Sequence, residues 1–112
     1  MNGTSISMTP IERTRRFWTA HGRSAAHLTI LHAFCNNPTI EWTPAGLSLW
    51  YGLRVDEARH VVAELVACRI VQAVPGRGGS YRWDQAQDWA VPRDPAAKII
   101  LQERWIAETG AA

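Results

Sequence analysis

Lysine, cysteine and long apolar runs are what this 112-residue chain has least of. Its two cysteines, Cys35 and Cys68, form no Cys-x-x-Cys pair and follow no secretory leader, so no disulfide framework is expected. Both stand among apolar neighbours and read as buried thiols of a protein in a reducing cytoplasm. No stretch approaches the roughly 18 apolar residues of a membrane span, so no membrane contact is expected. Four histidines, His21, His27, His32 and His60, show no His-x-x-x-His spacing, and neither cysteine stands at a zinc-like interval from one. Gly76-Arg77-Gly78-Gly79 lacks the Lys-Ser/Thr of a nucleotide loop and leads toward a strand rather than a helix. No catalytic constellation stands out, and the expectation is a non-enzyme without metal or cofactor. The single lysine, Lys98, beside eleven arginines points to a GC-rich genome rather than to a function.

What is present is ordinary globular composition, 46% apolar and 20% charged, with six tryptophans that can each bury a large area. The length fits one small domain with a single core. The net charge of +2 is unevenly spread: residues 1–82 hold nine arginines against five acids, and residues 83–112 hold three basic residues against five acids.

Residues 43–83 carry the clearest pattern. Thr43-Pro44 opens a short helix, because the threonine hydroxyl can accept an orphan backbone N–H and proline has none to lose. Tyr51-Gly52-Leu53 stops it with a residue that tolerates the left-handed conformation. A second helix is expected from about Val55 to about Arg69, with Ala58, Val61, Val62, Leu65 and Val66 on the packed face and Asp56, Glu57, Arg59, His60, Ala63 and Glu64 opposite. Ile70 to Val74 then reads as a strand, Pro75 to Ser80 as a turn, and Tyr81-Arg82-Trp83 as a second strand.

That order of helix, turn, helix, strand, strand resembles the winged helix-turn-helix superfamily of bacterial transcription regulators, which also shares the Thr-Pro start followed by Leu47 and Gly52. The resemblance implies a mainly α fold with a small β-sheet (α+β) and a winged helix-turn-helix core over residues 23–84. It further implies that the second helix reads double-stranded DNA through Asp56, Glu57, Arg59 and His60, beside Val55. Thr43 and Arg54 would lie near phosphates and Arg77 and Arg82 would act from the wing. Arg69 stands where the superfamily commonly has glycine, so a different helix exit is expected. Leu49 and Trp50 fill positions that are usually polar, which points to a surface covered by a partner protein. Asp56 and Glu57 offset the neighbouring arginines, since carboxylates accept from cytosine but repel phosphate.

Around that core, Thr9-Pro10-Ile11-Glu12 is a capping box for a helix from about Pro10 to Thr19, stopped at Gly22, with Met1 to Met8 a loose tail. Residues 1–22 thus form a tail and a flanking helix. Ser24 to Phe34 reads as a helix ended by Asn36-Asn37-Pro38, and Thr39 to Trp42 as a short extended piece that joins the hairpin. Residues 85–112 read as a linker and a helix from Asp94-Pro95 to about Thr109. Its apolar residues, among them Ile99, Trp105 and Ile106, cover more than one face, which leads us to expect a homodimer seam; the alternative is that Trp105 and Ile106 fold back on the core. The function expected is a dimeric, cytoplasmic, nucleoid-associated DNA-binding regulator. The alternative is a winged-helix docking module with Leu49, Trp50, Trp89 and Trp105 as anchors.

Overall fold

Several helix ends in this chain follow local chemistry that the sequence displays. The structure, a computed structural model, describes residues 10–84 and 95–110. Five helices and two strands occur among them: α1 Pro10–His21, α2 Ala25–Asn36, α3 Pro44–Tyr51, α4 Val55–Ala67, β1 Val71–Ala73, β2 Tyr81–Trp83 and α5 Pro95–Thr109. The class is therefore α+β, mainly helical with one small antiparallel sheet. The tail Met1 to Met8, the Thr9 and Asp94 helix starts and Trp89 lie outside the described residues.

α2 is the helix around which the rest is built. It is apolar on nearly all sides, which suits a helix with neighbours all round, and it touches α1, α3, α4, α5 and β2. Leu28, Ile30, Leu31, Ala33, Phe34 and Cys35 are all removed from solvent. Ser24 starts it by accepting from the His27 backbone N–H at 3.2 Å. α1 adds Phe17 and Trp18, whose rings meet edge-on at 4.5 Å. Gly22 joins α1 to α2 where no side chain fits: a Cβ would stand 2.5 Å from Leu28 Cδ2 and 2.7 Å from the Trp18 carbonyl oxygen.

α4 presents Ala58, Val61, Val62 and Leu65 to the core, the face its spacing predicted. Its end differs from expectation in two ways. The helix stops at Ala67, so Cys68 already belongs to the cap turn and is exposed, in contrast to buried Cys35. Arg69 does not take another exit conformation but the left-handed one itself, at φ 60°. Its N–H donates to the Val66 carbonyl at 3.0 Å and that of Ile70 to the Leu65 carbonyl at 2.9 Å, the paired bonds of a glycine-type helix stop.

The hairpin pairs Val71 with Trp83, Gln72 with Arg82 and Ala73 with Tyr81, and buries Val71 and Trp83 on one face. The Thr39–Trp42 piece joins it through a single bridge, Trp42 to Tyr81, closed by two backbone bonds of 2.7 and 2.8 Å. α5 buries Leu101 and ends where Gly110, at φ 71°, donates its N–H to Ile106. Among the described residues no helix is long and apolar enough to cross a membrane.

Candidate nucleic-acid interface

Three elements meet on one side of the molecule: the start of α3, the exposed face of α4 and the β1–β2 turn. Thr43, Pro44 and Ala45, then Arg59 of α4, then Gly78 and Gly79 of the turn border one open hollow of about 520 Å³. The Thr43 hydroxyl accepts from Gly46 N–H at 2.9 Å and so serves as the α3 cap, which leaves only its own proton for an outside acceptor. Gly52, at φ 70°, closes α3 and turns the chain toward α4.

Arg54 occupies the position before α4 without making a side-chain cap. The first turn therefore gains no hydrogen bond from its cap side chain, and Asp56 and Glu57 stand in that turn, at the positive end of the helix dipole. Such carboxylates stabilise a helix start by a few tenths of a kcal/mol up to about 1 kcal/mol each, which is reason enough for two acids there. Arg59 stands 4.0 Å from Asp56 Oδ1, with both side chains mostly in water. At that distance and exposure the pair holds Arg59 weakly. His60 is also exposed and lies 3.2 Å from Glu64 Oε1. Arg77 sits in the turn with Nη1 3.5 Å from Glu41. Arg82, placed with the outward residues of the ladder, is half-buried, and its Nε is shut off from water with no partner among the described residues.

A cluster around Glu64 escaped the sequence reading. Arg23 Nη2 pairs with Glu64 Oε2, His27 Nε2 lies 3.1 Å from Oε1, and Ser24 Oγ stands 2.6 Å from His27 Nδ1. Burial pushes the Glu64 carboxyl up, but the His27 hydrogen bond and the charges of Arg23, His27 and His60 outweigh it and hold the group below its ordinary value. The arrangement clasps the start of α2 to the exposed side of α4. Ser24-x-x-His27 and His60-x-x-x-Glu64 were the two local signals, but nothing local joins them across nearly forty residues. Among the described residues no group of three or more His, Cys, Asp or Glu is arranged to hold a metal ion.

The residues expected to meet partners separate into two groups. Leu49 and Trp50 stand open on α3, 83% and 75% exposed, and Ile99 and Ile106 are exposed on α5. Trp105 is different. Its indole N–H donates to Thr29 Oγ1 at 2.9 Å, and its ring stacks on His32 at 4.1 Å with planes 12° apart. The ring is spent inside the chain, because a half-buried indole needs both an acceptor and an apolar bed and α2 supplies both. Comparisons with family models, with curated proteins and with solved structures gave no match to the chain.

Proposed function

We propose that the chain is a transcription regulator of the winged helix-turn-helix type that binds double-stranded DNA. In this reading α4 enters the major groove, Arg59 turns from Asp56 to guanine, and His60 with Asp56 and Glu57 meets neighbouring base edges. Thr43, Arg54 and Arg77 hold the backbone, the last from a β1–β2 wing, with Arg82 stiffening that hairpin from its half-buried place. The observation that carries the proposal is the convergence of the α3 start, Arg59 and the glycine turn around one open hollow. A groove-reading helix needs a phosphate grip on either side, and those elements are set to supply it. Two copies joined through Ile99 and Ile106 of α5 would present paired reading helices to a pseudo-palindrome. The protein would act in the bacterial cytoplasm at the nucleoid, and the proposal assigns it no catalytic step and no cofactor.

The test is fluorescence anisotropy on mixed-sequence duplex DNA across a salt series. Wild type should bind in a salt-sensitive manner. An Arg59→Ala, Arg77→Ala double variant should lose most of that binding, its log–log salt slope falling by about 1 for each phosphate contact removed. Arg59→Ala alone should relax sequence preference by about 1–3 kcal/mol at one base pair. Absence of binding at low salt rejects the proposal. The exposed pair Leu49 and Trp50 favours a second reading, a winged-helix docking module without specific DNA binding. That reading predicts no salt-sensitive duplex binding and capture of a protein partner that Trp50→Ala abolishes.

A further inference from the structure

The segment before α3 and the outer side of α3 enclose a second open hollow, of about 540 Å³. Trp42 and Tyr51 line it with ring centroids 6.0 Å apart and planes inclined at 51°. Trp50 adds a third ring, largely in water, and Glu41 lines the same space. Gly46 borders it too, at an interior helix position whose backbone does not call for glycine. A Cβ there would stand 3.1 Å from the capping Thr43 oxygen and 3.9 Å from the Trp42 ring. Glycine thus gives the cap its room and keeps a side chain off the indole, at a cost in helix stability.

Aromatic rings that share a hollow with a carboxylate offer the chemistry of cation recognition. The ring faces carry partial negative charge and hold an ammonium within about 6 Å of their centroids, and the carboxylate adds a full charge. A neutral apolar ligand would make no use of Glu41, and an anion would be repelled by it. We infer that this hollow binds a small organic ammonium cation, with Trp42, Trp50 and Tyr51 around its alkyl groups and Glu41 as its counter-ion.

The counter-ion has a competitor. Arg77 Nη1 lies 3.5 Å from Glu41 Oε1, with the two side chains 69% and 28% exposed. So long and exposed a pair is weak, and a cation seated against the rings takes the carboxylate from it and releases the guanidinium. Removing Arg77 therefore strengthens ammonium binding, an effect that a merely structural role for the pair would not produce.

Choline titrated into the full chain at constant ionic strength, followed by proton–nitrogen spectra of the indole N–H groups, tests the inference without DNA. Saturable shifts are expected at Trp42 and Trp50, and none with the neutral alcohol in which carbon replaces the choline nitrogen. Glu41→Gln and Trp50→Leu should each weaken choline by about tenfold, and Arg77→Ala should tighten it. Trp50 is exposed, so its variant is expected to fold. The inference is overturned if the neutral alcohol binds equally, if shifts grow without saturation, or if Glu41→Gln and Arg77→Ala leave the affinity unchanged.

Discussion

Arg69 holds a left-handed backbone conformation that side chains disfavour by about 1–2 kcal/mol. The chain accepts this because the two bonds at the end of α4 and the burial of Leu65 and Ile70 on either side fix where β1 must begin. Arg69→Gly should remove the strain and raise unfolding stability by about 1 kcal/mol, less the added freedom of the unfolded chain, visible as a higher urea midpoint at unchanged slope. A lower midpoint would mean that the arginine side chain contributes more than the backbone costs. Glycine was expected at this place from the resemblance and was missing from the sequence, yet the conformation persisted; packing on both sides of a turn can impose what the turn residue resists.

At the scale of elements, α5 shows how a helix that reads as an interface becomes part of the core. Its apolar residues wrap more than one face: Leu101 is buried and α2 takes the Trp105 ring, while Ile99 and Ile106 stay outside. Thr29 sits at the join: its hydroxyl donates to the Ala25 carbonyl at 2.8 Å and accepts from the Trp105 indole. Trp105→Phe keeps a ring on His32 but deletes that donor, and should cost about 1 kcal/mol in chemical denaturation. A loss below a few tenths would show that the indole hydrogen bond does not hold α5 in place. Which side of α5 faces inward was not legible beforehand, because Ile99, Leu101 and Trp105 are all apolar and the positions of α1 and α2 separate them.

For the molecule as a whole, the three groups that titrate on the acid side with shifted values, His21, His32 and Glu64, slope stability the same way. Burial lowers the His32 imidazole, and burial aided by the Arg23 charge lowers His21, both from an ordinary 6.5. Each favours the neutral ring in the fold, so its contribution is complete above pH 6.5 and is lost as pH falls through the lower folded value. The clasp of Arg23, His27 and His60 holds Glu64 below its ordinary 4.5, against burial, so that contribution is present above 4.5 and fades further down. Urea midpoints should therefore fall in two stages from about pH 7 toward acid. His32→Phe should flatten the upper stage and Glu64→Gln the lower; a midpoint that rises between pH 7 and pH 5 would contradict the scheme.

The sequence by itself determined the elements: Thr43-Pro44 and Gly52 bound α3, the spacing of Ala58, Val61, Val62 and Leu65 chose the buried face of α4, and the glycine run set the hairpin turn. These are consequences of capping, periodicity and backbone freedom, which act within a few residues. Tertiary structure decided what depends on neighbours distant in the chain. It sent Cys68 outward and Cys35 inward, gave Arg69 its left-handed turn, brought Arg23 and His27 to Glu64, and set Glu41 against Arg77 beside an aromatic hollow. Such pairings arise where packed elements happen to face one another, and their chemistry belongs to the contact rather than to either stretch of sequence.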